Sequence, residues 1–102
     1  MIGIDLVHIP EFEHQLSVGG DTFLERAFHP EERADNRLEH LAGLWAAKEA
    51  VMKAAGLPVG EWLAITIKYG TRGQPIAHLE GHVIDISITH HGEYAVAVAV
   101  TK

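Results

Sequence analysis

Two carboxylates stand where charge is expensive. Asp5 interrupts the apolar run Ile2-Gly3-Ile4-Asp5-Leu6-Val7, which reads as a buried strand with the carboxylate at or near its end. Glu49 falls in the apolar sector of a helix predicted from Asn36 to Ala55. At about 100° per residue it points between Leu38 and Ala42, with Leu41, Trp45 and Met52 in the same sector and Lys53 at its edge. A buried ionised carboxylate is costly unless paired, protonated or bound to a cation. Two converging carboxylates, with oxygen ligands only, have the chemistry of a Mg²⁺ site shared with substrate phosphates. Spacing alone leaves a plainer arrangement open, in which Asp5 takes a backbone cap and Glu49 pairs with Lys53 four residues on.

Histidines are the other candidates. His90 and His91 fall at a predicted hairpin, from which an imidazole reaches a ligand or only solvent. His78 and His82 are four apart, but Gly81 and a strand context separate them and no third ligand is in register, so zinc is not expected. Phosphate-loop, dinucleotide and nucleophile-elbow motifs are absent, and the only serines, Ser17 and Ser87, have no nucleophile context. Trp45 reads as core and Trp62 as a packing anchor between helix and sheet.

The elements that must position these groups follow from local signals. Pro10 opens a helix that Ser17-Val18-Gly19-Gly20 should break, and Asp21 then caps a turn carrying Phe23, Leu24 and Phe28. A second cap is predicted at His29-Pro30-Glu31-Glu32, with acidic residues at the positive end of a helix dipole. The long helix is capped by Asn36, stopped by a left-handed Gly56 and followed by Pro58. Strands are predicted over 63–69, 76–80, 83–89 and 94–100, with a turn at Gly70-Thr71-Arg72-Gly73-Gln74-Pro75 and a hairpin at His90-His91-Gly92-Glu93. Valines 96, 98 and 100 alternate with alanines that face a second layer. Helices first and strands second imply an α+β fold, an antiparallel sheet packed on one long helix.

Composition narrows the function. The 102 residues carry 8 Lys plus Arg against 14 Asp plus Glu, a net charge of −6, with 47% hydrophobic residues. That is one globular domain over 1–102 without a basic stripe, a poor match for nucleic acid. No apolar run is long enough to span a bilayer, no signal peptide is recognisable and cysteine is absent, so the expected address is the cytoplasm.

Three segments together resemble holo-acyl-carrier-protein synthase, the small single-domain 4′-phosphopantetheinyl transferases. They are Gly3-Ile4-Asp5-Leu6-Val7, then Trp45-Ala46-Ala47-Lys48-Glu49-Ala50-Val51-Met52-Lys53-Ala54, and Ser87-Ile88-Thr89-His90 ahead of Tyr94-Ala95-Val96-Ala97. The resemblance implies transfer of phosphopantetheine from coenzyme A to a serine of an apo acyl carrier protein, or of a carrier domain in a larger synthase, with Mg²⁺. It implies Asp5 and Glu49 as metal ligands, Lys53 on the pyrophosphate, Glu49 as proton acceptor and His90 on phosphate. Ser87, Gly56, Arg72, Gly73 and Pro75 would flank the nucleotide, and Arg26 would lie near the 3′-phosphate or the carrier. It further implies a homotrimer with active sites between subunits. Departures are Leu44, where the family usually has arginine, and Glu11 and Glu13, where the first helix is commonly basic. A coenzyme A-binding trimeric subunit without transfer activity, or a metal-dependent nucleotide pyrophosphate hydrolase, are the competing functions.

Overall fold

The alanines of the last strand decide the layering. Ala95, Ala97 and Ala99 are completely buried because the long helix lies directly across their face, where only methyl groups fit. The computed structural model describes residues 1–102. In chain order the elements are β1 (Ile2–His8), α1 (Ile9–Ala27), α2 (Leu38–Ala55), a 3₁₀ turn (Trp62–Ala64), β2 (Ile65–Tyr69), β3 (Pro75–Leu79), β4 (His82–His91) and β5 (Tyr94–Val100). The strands form one antiparallel sheet in the order β1-β5-β4-β3-β2. This is the α+β arrangement the sequence implies, with α2 as its spine.

Two glycines allow the close approach of α2 to the sheet. A methyl at Gly3 would overlap the Ala50 carbonyl, and one at Gly43 would press on Ile88 at 3.1 Å. β1 therefore lies directly against the C-terminal half of α2. Gly56 ends α2 in the left-handed region at φ 68°, as expected. The helix start differs: Arg37 occupies the capping position, and Asp35 accepts a hydrogen bond from the Arg37 N–H at 3.2 Å.

α1 breaks where expected: Gly20 leaves helical geometry at φ 56° and ψ −144°, so two helical segments meet at a kink and Asp21 begins the second. Phe12 of the first segment and Phe23 of the second pack on each other and on Trp45. Two further expectations are corrected. No helix starts at Pro30: residues 30–35 form turns and bends, and Glu32 turns inward. β4 runs on through His91, so His90 and His91 stand on the strand, and the hairpin loop is Gly92-Glu93 with Gly92 at φ 58°.

The sheet has a second face. Ile2, Ile4 and Leu6 of β1, 73%, 59% and 62% exposed, stand in register with Val100, Val98 and Val96 of β5. Nothing in the chain covers this apolar row.

Candidate active site

Gly3 positions Asp5. With β1 seated on α2, Lys53 Nζ reaches back to donate to Asp5 Oδ1 at 3.1 Å and to the Ile4 carbonyl at 2.9 Å. Lys53 pairs with Asp5, not with Glu49 one turn before it. Glu49 instead accepts a hydrogen bond from the Trp62 indole, Nε1 to Oε1, at 3.2 Å. Asp5 and Glu49 line the same open cleft of about 580 Å³, together with His8, Glu11, His14 and Trp45.

The electrostatics of the two carboxylates match. Burial raises the Asp5 carboxyl above the usual range, and the hydrogen bond and charge of Lys53 oppose it. Burial raises Glu49 likewise; the Trp62 hydrogen bond opposes it, and the charge of Asp5 adds to the rise. Two desolvated carboxylates that feel each other across a cleft are what a hard divalent cation relieves. The donor set would suit Mg²⁺, since both donors are carboxylate oxygens; water and substrate oxygens would have to complete the coordination sphere.

The other predicted residues divide along α2. Gly56 joins Asp5, Glu49 and Lys53 at its C-terminal end. His90 lies toward the opposite end, its Nε2 4.0 Å from a Glu39 carboxylate oxygen. Asp5 pairs with Ala97 and Ala97 with Ile88, so His90 is two strands across and two residues along from Asp5, on the order of 12 Å away. The turn carrying Arg72, Gly73 and Pro75 follows Tyr69, whose ring is 6.0 Å from that of His40, again at the N-terminal end of α2. Ser87 is exposed, opposite Val98. Arg26 borders a separate cavity of about 240 Å³ with Phe23 and Trp62. Leu44 is core, 1% exposed, and supplies nothing to a site.

One functional neighbour was missed by sequence reasoning. Lys48, beside Glu49 in the chain, is fully buried and donates to Glu32 at 2.7 Å, to the Ala27 carbonyl at 2.9 Å and to the Trp62 carbonyl at 3.1 Å. Glu32 in turn accepts from the His29 and Ile67 N–H groups at 2.7 and 2.8 Å. Leu41, Leu44 and Val51 on the same side of α2 were the available signal, since they surround Lys48 with apolar side chains.

Comparison with known proteins completes the picture. A family model described as the 4′-phosphopantetheinyl transferase superfamily matches residues 1–99. A holo-[acyl-carrier-protein] synthase of Sulfurovum sp. (strain NBC37-1) is 40% identical over 110 residues, covering 96% of this chain and 92% of that protein. One from Mycobacterium sp. (strain KMS) is 38% identical over 124 residues, with coverages of 99% and 95%. Among solved structures, the Helicobacter pylori holo-[acyl-carrier-protein] synthase in complex with coenzyme A superposes with a TM-score of 0.89 at 32% identity, covering 98% of each chain. The Bacillus anthracis synthase in complex with CoA (3′,5′-ADP) gives 0.81 at 36% identity, covering 96% of this chain and 91% of that one.

Proposed function

The chain belongs to the 4′-phosphopantetheinyl transferase superfamily, and we propose that residues 1–102 form one holo-acyl-carrier-protein synthase domain. It transfers 4′-phosphopantetheine from coenzyme A to a serine of an apo acyl carrier protein, and adenosine 3′,5′-bisphosphate leaves. The observation that carries the assignment of the chemistry is the convergence of Asp5 and Glu49 on one cleft, with Lys53 bonded to Asp5 beside it.

Asp5, Glu11 and Glu49 line that cleft and no arginine or lysine does, so a pyrophosphate enters only with a cation. Mg²⁺ held by Asp5 and Glu49 would supply neutralisation of the pyrophosphate and of the charge that builds on the departing oxygen. Lys53, aimed by its bonds to Asp5 and the Ile4 carbonyl, contacts the pyrophosphate and stabilises the leaving group. Glu49 takes the serine proton directly or through one water, and the burial that raises its carboxyl suits it to that task. The new bond joins the serine oxygen to the phosphorus carrying pantetheine; the bond that breaks is the pyrophosphate link to the nucleotide.

The assembly is a homotrimer with active sites between subunits. Two observations support it: the uncovered row Ile2, Ile4, Leu6, Val96, Val98 and Val100, and the separation of His90, Arg72, Gly73 and Pro75 from the carboxylates within one chain. A head-to-tail ring brings one subunit's carboxylate end against the next subunit's His90 end and closes after three copies. There His90 contacts phosphate, Ser87, Gly56, Arg72, Gly73 and Pro75 flank the nucleotide, and Arg26 lies near the 3′-phosphate or the carrier. No helix is long and apolar enough to cross a membrane, and we place the enzyme in the cytoplasm.

The test is to incubate the protein with coenzyme A, Mg²⁺ and a panel of apo carriers, free and embedded in larger synthases, and weigh each carrier by mass spectrometry. A carrier gaining one phosphopantetheine is expected. Coenzyme A cleaved without carrier would instead identify a pyrophosphate hydrolase, and binding without either outcome a subunit that has lost transfer.

A further inference from the structure

Lys48 and Glu49 are adjacent in sequence and leave α2 about 100° apart, yet both are tied to one residue. The Trp62 carbonyl accepts from Lys48 Nζ at 3.1 Å, and the Trp62 indole N–H donates to Glu49 Oε1 at 3.2 Å. The indole is also stacked on Trp45, with centroids 4.9 Å apart and planes at 28°. Trp62 is thus held at its backbone by a buried ammonium and at its ring by a second aromatic, and its one donor is spent on Glu49. Oε1 is occupied by the indole, while Oε2 accepts no hydrogen bond from the protein. We propose that Trp62 is a positioning residue, which fixes the Glu49 carboxylate in one rotamer, reserves Oε2 for the metal and makes Glu49 a one-oxygen ligand. Lys48 is the fixed point on which that arm rests. The inference rests on the assignment of Asp5 and Glu49 as the metal site; it adds an outer contact of the kind that orients ligands in metal proteins.

The experiment measures Mn²⁺ bound to the protein in the presence of coenzyme A, by loss of the free-ion electron paramagnetic resonance signal, independently of turnover. Trp62→Phe keeps an aromatic ring and removes the donor. Replacing Trp62 by benzothienylalanine keeps shape and stack as well, so the loss of N–H can be read even if the phenylalanine variant folds poorly. Both should weaken Mn²⁺ binding about tenfold. In transfer assays the half-saturating metal concentration should rise by the same factor, while kcat at saturating metal stays within about threefold of the parent value. Ile84→Val, a core truncation away from the cleft, should leave Mn²⁺ binding unchanged at a similar cost in thermal stability. Unchanged Mn²⁺ binding in the benzothienylalanine protein, or an equal loss in Ile84→Val, overturns the positioning role. If the parent protein binds no Mn²⁺, or Asp5→Ala binds it equally well, the metal site itself is wrong, and that outcome is distinct.

Discussion

Removing both halves of the Lys48–Glu32 pair should cost clearly less than the sum of removing each. Both side chains are fully buried, and their charges lie 2.7 Å apart. Lys48→Met keeps the length and apolar stem but strips the ammonium from Glu32, whose carboxylate is left buried with only the His29 and Ile67 N–H groups. Glu32→Gln leaves the ammonium with two carbonyls and an amide oxygen. Breaking a buried pair on one side typically costs about 3–5 kcal/mol, a large share of the roughly 5–15 kcal/mol that holds a domain together. In Lys48→Met/Glu32→Gln no charge remains buried, so the double variant should be more stable than the sum of the singles by about 2–3 kcal/mol. Urea unfolding at pH 7, at one fixed protein concentration so that any assembly enters equally, provides the cycle. Single losses below about 1 kcal/mol, or additive losses in the double, would refute the reasoning. The pair would then be no more than a solvated contact.

Further outcomes are expected. Glu49→Gln should abolish transfer yet stabilise the metal-free protein by about 0.5–1 kcal/mol at neutral pH, a common trade at active sites. Because burial raises Glu49 above its ordinary 4.5, the folded chain holds more protons than the unfolded chain just above that pH. The parent should therefore lose stability relative to Glu49→Gln as pH climbs through that window in a chelator; thermal melts that show the parent gaining would contradict it. Gly3→Ala should cost about 1–3 kcal/mol and depress transfer together with Mn²⁺ binding, since the added methyl pushes β1 and Asp5 away from the Ala50 carbonyl. Mixing Glu49→Gln with His90→Ala at equal amounts and reassembling the subunits should restore about a quarter of parental activity, the fraction of interfaces in a random ring that pair an intact carboxylate end with an intact His90. No recovery would mean that each site lies within one chain. Glu11→Lys/Glu13→Lys should speed modification of an acidic carrier at low salt, because Glu11 borders the cleft; an unchanged rate would mean the carrier does not pass that rim.

What was legible in the sequence was whatever the chain writes locally. Gly56 marks the end of α2 because a left-handed residue is needed there, and the 94–100 strand is marked by strict alternation. Asp5 and Glu49 stood out because each interrupts an apolar pattern. Lys48 interrupts one equally: Leu41 lies about 20° from it around the helix and Val51 about 60°. It was read only as one letter of the Trp45-to-Ala54 segment and given no role of its own. Its partner Glu32, sixteen residues away, carried the opposite sign: three acidic or turn-forming neighbours beginning at Pro30 matched the start of a helix, and only the fold turns the carboxylate inward. The kink in α1, by contrast, was legible, since Gly20 takes a backbone conformation that glycine adopts readily. The separation of His90 from Asp5 is a different kind of silence. No local rule relates a strand end to the far end of a helix, and under the proposed trimer the two groups of site residues meet only between copies. That is why the apolar row on β1 and β5, useless to the monomer, and the divided site are best explained together, and why the mixed-subunit experiment tests both at once.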